Sequence, residues 1–486
     1  MSLKQKTVSG ILWSSVERFS VQGVDFIIGL ILANILLPAD FGLIVMLAIF
    51  LAISRSFIDS GFANALIRKK DRTEVDFSTV FYFNIVVGLF FYFLLFFTSP
   101  YIAAFYDVPI LEDLTKVVAI NLLISSLTVV QRAKFTINVD FKTQTKASLL
   151  AAIISGITGI LMALKGFGVW SLAAQSVISS CINMIMLWIY SGWKPQLVFS
   201  MTSFKEMFSY GSKLLISGLI DTTYRNIYTI VIGKKFSETD LGYYTRADSF
   251  TQFPSSNITG ILQRVTFPIL SSIQDDDKKL QETYRKFLRL SAFVVFPLMM
   301  GLFGVADPLI RLLLPETWNG AILLLQILCL SQMWYPVHAI NLNLLQVKGR
   351  SDLFLRLEII KKIIGVSVLI VTIPLGVAAM CWGAVISSLI ALFINTYYTR
   401  KLIQVGYLRQ MKDLLPTLIN SISMGIIVLG ITRLIHINIL ALIAGITFGV
   451  IYYFSIAYLA KSQELHEVKS LIGIEKIKNR LWNNRK

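Results

Sequence analysis

Fourteen apolar segments, each of about 20 residues, follow one another along this chain of 486 residues. As a helix, a segment of that length crosses the roughly 30 Å hydrocarbon core of a bilayer. Hydrophobic residues make up 55% of the chain and charged residues only 15%, which indicates a membrane protein. The sequence therefore predicts an all-α protein that crosses the membrane about 14 times. The segments lie near residues 10–37, 41–65, 77–98, 117–137, 147–164, 168–190, 208–232, 249–273, 290–314, 319–347, 357–375, 378–398, 414–434 and 438–460.

The positions of lysine and arginine test this arrangement, because short basic loops stay on the cytoplasmic side. With the N-terminus inside, 33 of the 45 basic residues fall in inner loops and the tail, and six fall in outer loops. This asymmetry predicts an even number of helices with both termini cytoplasmic. The net charge of +17 is then explained by topology and by attraction to membrane lipids, without a nucleic-acid partner.

Two matching segments lie 200 residues apart, Ile31 to Gly42 and Val231 to Gly242. In each, an apolar helix pattern is followed by a polar turn, by Asp-hydrophobic-Gly and by a second apolar helix. The match predicts two pseudo-symmetric six-helix bundles with parallel orientation. The predicted organisation is an N-terminal bundle (1–192), an amphipathic cytoplasmic linker (193–207), a C-terminal bundle (208–400), helices 13 and 14 (413–460) and a cytoplasmic tail (461–486).

Four motifs carry a resemblance to a known family: Leu36 to Gly42, Phe57 to Ile67, Asp240 to Ala247, and Phe267 to Ser271 with the charged loop that follows. Together they resemble the polysaccharide transporters of the multidrug/oligosaccharidyl-lipid/polysaccharide exporter (MOP) superfamily, in particular lipid-linked oligosaccharide flippases of the WzxC and TuaB type. One departure is Ala33-Asn34, where the family commonly has Ala-Arg, so no arginine is carried over there.

The resemblance implies a V-shaped pair of bundles in the bacterial cytoplasmic (inner) membrane. Such a flippase moves an undecaprenyl-diphosphate-linked oligosaccharide from the cytoplasmic to the outer leaflet by alternating access. It would serve exopolysaccharide, capsule, O-antigen or teichuronic acid assembly, beside a polysaccharide polymerase and glycosyltransferases of the same pathway. The glycan, the coupling ion and the oligomeric state stay open.

Charged residues within the predicted helices are the candidate site, because each costs roughly 2.5 to 3.5 kcal/mol on insertion unless it faces a cavity or a partner. Arginines can bind a diphosphate bidentately. The alternative is simple pairing at i, i+4 on one helix, as Asp221 with Arg225 or Arg55 with Asp59. The predicted substrate-binding residues are Arg18, Arg55, Lys213, Arg225 and Arg264, and the predicted counter-ions or ion-coupling acids are Glu17, Asp25, Asp59 and Asp221.

Two other functions are alternatives to transport of a glycolipid. A multidrug or organic-cation exporter of the same superfamily would share the architecture, but the candidate residues contain more bases than acids. A membrane-embedded glycosyltransferase or polymerase would need a sizeable catalytic loop, and the longest outer loop is only about residues 99–116. The three cysteines and three histidines show no metal-ligand spacing, and no ATP-binding motif is present. The sequence thus predicts a transporter with no cofactor or metal, and not an enzyme.

Overall fold

The computed structural model describes residues 20–58, 62–69 and 71–471, and within them all regular secondary structure is helical. Glu316–Trp318 and Ile373–Leu375 are short 3-10 turns. The α-helices are α1 (Ser20–Ala33), α2 (Pro38–Ile58), α3 (Phe62–Arg68), α4 (Glu74–Tyr106), α5 (Leu111–Val118), α6 (Ile120–Ser126), α7 (Val129–Ile137), α8 (Phe141–Leu164), α9 (Val169–Ser191), α10 (Met201–Arg225), α11 (Ile227–Lys235), α12 (Glu238–Ser272), α13 (Asp277–Leu313), α14 (Gly320–Gln332), α15 (Tyr335–Val347), α16 (Ser351–Thr372), α17 (Val377–Ile403), α18 (Tyr407–Leu434), α19 (Asn438–Leu459) and α20 (Gln463–Leu471).

Nine membrane spans are evident by length and composition within the described residues, and ten if the bent helices α5 to α7 count as one span. They are α2, α4, α8, α9, α13, α14 with α15, α17, α18 and α19. This confirms an all-α polytopic membrane protein. With the bent helices counted as the tenth span, four of the fourteen predicted spans are still not evident, at α1, α10 with α11, α12 and α16. The described part of α1 is short, and α16 carries Arg356, Glu358, Lys361 and Lys362.

The chain divides into two compact units, Met1–Thr245 and Arg246–Lys486. The division falls within α12, because the first turns of this helix pack with α2 in the first unit. In the same unit, α1 packs on α8 and α9 through Ile28, Leu32 and Leu172. The buried face of α8 is made of small residues, which allow two helix backbones to approach closely in a membrane.

The segment between α9 and α10 lies against the N-terminal end of α4. Trp193 is buried beside Phe81, and its indole nitrogen donates to Glu74 at 2.6 Å. The backbone amides of Gln196 and Ser200 donate to hydroxyls of the first turns of α4 at 2.9 and 3.0 Å. These bonds fix the connector to the first unit along its predicted cytoplasmic end.

Salt bridges reinforce this end of the first unit. The ammonium group of Lys69 lies 3.1 Å from Asp76 at the start of α4 and 3.0 Å from Glu206 on α10. The hydrogen bond to Glu206 contributes most to raising the pKa of Lys69 above its usual value. Lys69 therefore stays charged at neutral pH and joins the two helices.

In the second unit, α13, α18 and α19 cross at glycines. A Cβ on Gly304 of α13 would lie 2.9 Å from the carbonyl oxygen of Gly425 on α18, so no larger residue fits without displacement. Tyr284, Asn341 and Gln410 form a buried hydrogen-bonded cluster at 2.9 to 3.1 Å between α13, α15 and α18. Helices predicted to lie outside the repeat are thus tightly packed parts of this unit.

Candidate substrate path and outer junction

The predicted charged residues lie on helices α1, α2, α10 and α12 where the structure describes them. Glu17, Arg18 and Asp59 lie outside the described residues, and Lys213 lies in α10 with its side chain outside the described part. Asp25 is exposed on α1, and Arg55 is exposed in the last turn of α2. Arg264 is exposed on the part of α12 that belongs to the second unit.

Asp221 and Arg225 form the i, i+4 pair that the sequence allowed. The Nε atom of Arg225 lies 2.7 Å from a carboxylate oxygen of Asp221, and the two side chains are 77% and 47% exposed. Pairs this exposed contribute at most about 1 kcal/mol to stability. Both Nη groups of Arg225 lack a hydrogen bond to any described residue, so this guanidinium can still donate to a ligand.

The structure brings α2 and α10 together beside these charges. The hydroxyls of Ser56 on α2 and Thr222 on α10 are 3.2 Å apart. Arg55 precedes the first of these residues and Asp221 precedes the second, so both flank the contact on neighbouring helix faces. Two of the predicted site helices are therefore adjacent within the first unit.

Two charged residues of α12 were missed as site candidates, although the motif through Ala247 includes one of them. Arg246 is buried at 7% exposure, and its guanidinium carbon lies 5.2 Å from the centre of the Trp318 ring. Asp248 accepts a hydrogen bond from Gln252 at 2.6 Å. The sequence signal for these two residues was the presence of an arginine and an aspartate, two residues apart, in a helix of the membrane domain.

The two duplicated turns begin helices by the same device. The backbone amide of Leu37 donates to the Asp40 carboxylate at 3.0 Å, and the amide of Ser237 donates to the Asp240 carboxylate at 3.3 Å. In each, the aspartate is the third residue of its helix and satisfies an amide just before the first turn, as in a capping box. The position of the aspartate, which is the same in both turns, thus has a local structural cause.

The glycine of each turn lies against the other turn, in an arrangement that we call the outer junction (Pro38, Gly42, Glu238 and Gly242). A Cβ on Gly42 would lie 1.9 Å from the carbonyl oxygen of Glu238. A Cβ on Gly242 would lie 2.0 Å from the carbonyl oxygen of Pro38. The first residue of each helix therefore contacts the fifth residue of the other, and only hydrogen fits between them.

Side chains around the outer junction complete the packing. A Cβ on Gly233 of α11 would meet Met46 and Tyr106, each at 3.1 Å. Tyr106 is buried, and the next residue, Asp107, accepts a hydrogen bond from Lys234 at 3.0 Å. Four helices, α2, α4, α11 and α12, thus close together at the end predicted to face outside.

The described helices thus form a polytopic membrane domain with exposed arginines and two interlocked turns. Residues 31–323 match the family described as "Polysaccharide biosynthesis protein". The chain belongs to this family, and its relatives include proteins of the TuaB and WzxC type, as the resemblance predicted.

Two relatives match over most of their length. The chain is 26% identical to "Teichuronic acid biosynthesis protein TuaB" of Bacillus subtilis, over 89% of this chain and 90% of that protein. It is 25% identical to "Lipopolysaccharide biosynthesis protein WzxC" of Escherichia coli, over 88% and 90%. At this level of identity both are distant relatives of this chain.

Solved structures show the same fold. The lipid II flippase MurJ in an inward closed conformation matches with a TM-score of 0.76 at 16% identity, over 92% of this chain and 98% of that chain. An inward-facing MATE multidrug transporter of the MOP superfamily matches with a TM-score of 0.62 at 15% identity, over 80% and 98%. The likeness to both is one of fold.

Proposed function

We propose that this protein is a flippase for a lipid-linked oligosaccharide, with undecaprenyl diphosphate as the lipid carrier. It moves the repeat unit from the cytoplasmic to the outer leaflet of the bacterial cytoplasmic membrane for assembly of a surface polysaccharide. The family and the relatives' names support a role in polysaccharide biosynthesis transport. A polymerase and glycosyltransferases of the same pathway would be its partners.

The observation that carries the proposal is the exposure of arginines on helices of the membrane domain. Arg55, Arg225 and Arg264 are all exposed. An arginine exposed to hydrocarbon is costly, so the surface that it faces must be polar. A diphosphate and sugar head group needs such a surface, whereas the polyprenyl tail can remain in the lipid.

Polar helices correspond to three of the four predicted spans that are not evident by length and composition. Helices α10, α12 and α16 contain too many polar or charged residues for lipid-facing spans. Along the chain, however, they lie between helices that are evident spans. A helix that lines an aqueous cavity shows this composition. We therefore retain fourteen helices, two six-helix bundles and two added helices as the proposed architecture, with both termini cytoplasmic.

Alternating access requires that the outer junction separate when the path opens to the outside. In the present structure α2 and the start of α12 are in backbone contact at the outer junction, which supports a conformation in which this junction is closed. The acids Asp25 and Asp221, with Glu17 and Asp59, are assigned as counter-ions, as the Asp221–Arg225 pair supports. Dependence of transport on pH, Na⁺ or uncouplers that is abolished by Asp221→Asn would contradict that assignment.

Reconstitution tests the proposal directly. Proteoliposomes that contain a lipid-linked oligosaccharide are exposed to an external lectin, and the arrival of glycan at the outer surface is measured. We expect Arg225→Ala and Arg264→Ala each to slow arrival about tenfold, the effect of losing roughly 1.4 kcal/mol of charged hydrogen bonding. Arg409→Ala is the matched control, since Arg409 is exposed in the first turn of α18, a helix that carries none of the candidate residues.

The cation exporter gives a different result in the same vesicles. An exporter would move a fluorescent organic cation and leave the glycolipid in its original leaflet. Arginine-to-alanine changes would then preserve or increase cation transport, because they remove repulsive charge. Glycolipid transport that is equal in wild type, Arg225→Ala and protein-free vesicles would overturn the flippase assignment.

A further inference from the structure

A polar cavity of about 400 Å³ lies at one end of the second unit, at the end that the predicted topology places outside. It is bounded by the last turns of α13 and α18, by α14 and by the first residue of α19. This cavity contains none of the predicted site residues. Its charged and polar lining includes Asp307, Arg311, Gln326, Arg433, His436 and Asn438.

The two arginines give the cavity an excess of positive charge. Arg311 is held through its Nε atom by Asp307 at 2.9 Å, one turn earlier on α13. Both Nη groups of Arg311 lack a hydrogen bond to any described residue. Arg433 and His436 form no ion pair with any residue in the described part of the chain. Two guanidinium groups thus line the cavity with a single carboxylate.

Backbone groups add to this positive end. Helix α19 begins at the cavity with Asn438, and its preceding residue, Ile437, provides no side-chain cap. The backbone hydrogen bonds of this helix begin at Ala441, whose amide donates to the carbonyl oxygen of Ile437 at 2.8 Å. The earlier amides of the first turn are available at the positive end of the helix dipole, where anions bind well.

We propose that this cavity binds the anionic phosphodiester head group of a lipid in the outer leaflet. Arginine donors and a helix N-terminus are the groups that recognise phosphate oxygens. The volume falls in the range of pockets for small organic ligands, and is larger than an inorganic phosphate ion requires. Its position at the ends of membrane helices is the depth at which lipid head groups lie. The site does not depend on what the protein transports.

Binding of phosphatidylglycerol to the purified full-length protein tests the proposal by native mass spectrometry in detergent. The probe variant is Arg311→Gln with Arg433→Gln, and the control is Arg409→Gln with Lys412→Gln. The control makes the same change in charge at the opposite, exposed end of α18. We expect the probe variant to weaken phosphatidylglycerol binding about fivefold or more, as expected for the loss of charge-assisted hydrogen bonds, and the control to change it less than twofold.

Further measurements distinguish a lipid head group from free phosphate as the ligand. If inorganic phosphate displaces phosphatidylglycerol and its binding depends on the same arginines, the site belongs to the free ion. That result would overturn the proposal that the cavity binds a lipid head group. Equal phosphatidylglycerol binding by the probe and control variants would overturn the site itself. If the double glutamine variant does not fold, as judged by thermal unfolding, Arg311→Lys with Arg433→Lys takes its place. The lysine variant should bind more weakly than wild type, because lysine cannot form the bidentate contact.

Discussion

The two outer turns have the same backbone plan but differ in how they are stabilised. The turn that starts α12 has a hydroxyl, Ser237, which donates to Asp240 at 2.7 Å and accepts from its amide at 3.0 Å. The turn that starts α2 has Leu37 in that place and a proline, Pro38, as first helical residue. The contact between the turns is nearly symmetric, whereas the caps are not. The shared feature therefore belongs to the junction between the turns, and the differing feature belongs to each helix alone.

The glycines provide the most severe test of the symmetric part. Gly42→Ala and Gly242→Ala each place a methyl group about 2 Å from a backbone oxygen, so the helices must separate. Overpacking of this kind costs about 1 to 3 kcal/mol, or roughly 5- to 140-fold in the population of the closed junction. We expect both variants to increase external maleimide labelling of Met46→Cys, a buried position beside the junction, in a background without the native cysteines.

The control for this prediction is Gly218→Ala on α10, where an added Cβ meets nothing within 4 Å. Because the two junction contacts are reciprocal, the two glycine variants should act alike. If one of them labels at the rate of the control while the other does not, the reciprocal arrangement is wrong.

Part of this junction could be predicted from the sequence and part could not. Asp-hydrophobic-Gly at both turns indicated a duplication, and the predicted topology placed both turns on the outer side of the membrane. The aspartates follow a local capping rule that a sequence displays. The glycines contact backbone carbonyl groups far away in the chain. Every residue carries such a group, so the residue types at the contacted positions do not reveal the contact. The glycines could be noticed, but their partners could not.

The charged residues show the same division. The i, i+4 pairing of Asp221 and Arg225 follows from helix geometry and could be read directly. The contact between Ser56 and Thr222 depends on how two helices pack, and small hydroxyl residues occur on many helix faces. Arg246 was not predicted because its contact with the ring of Trp318 joins residues that are far apart in the sequence.

The caps provide a smaller and asymmetric effect. Ser237→Ala removes both the donor and the acceptor of its cap and should destabilise the start of α12 by about 1 kcal/mol. Leu37→Ser supplies the hydroxyl that the first turn lacks, at a position that is 58% exposed, and should stabilise the start of α2 by up to a similar amount. Hydrogen exchange of the first-turn amides measures both effects. Ser237→Thr retains the hydroxyl and should exchange like wild type; equal protection in Ser237→Ala would show that the cap is unimportant.

The smallest expected difference concerns the residues that precede the two turns. Lys234 bonds to Asp107 across two helices, whereas Asn34, at the matching position of the first turn, bonds to the carbonyl oxygen of Leu30 in its own helix at 2.9 Å. The side chains of Lys234 and Asp107 are 33% and 82% exposed, so their coupling should be below about 1 kcal/mol. A double-mutant cycle of Lys234→Ala and Asp107→Ala, read out by thermal unfolding, measures it. The coupling should weaken in 1 M salt, where the screening length falls to roughly 3 Å, while the effect of Asn34→Ala should not change. Coupling of the same size in low and high salt would mean that Lys234 and Asp107 interact by packing rather than by charge.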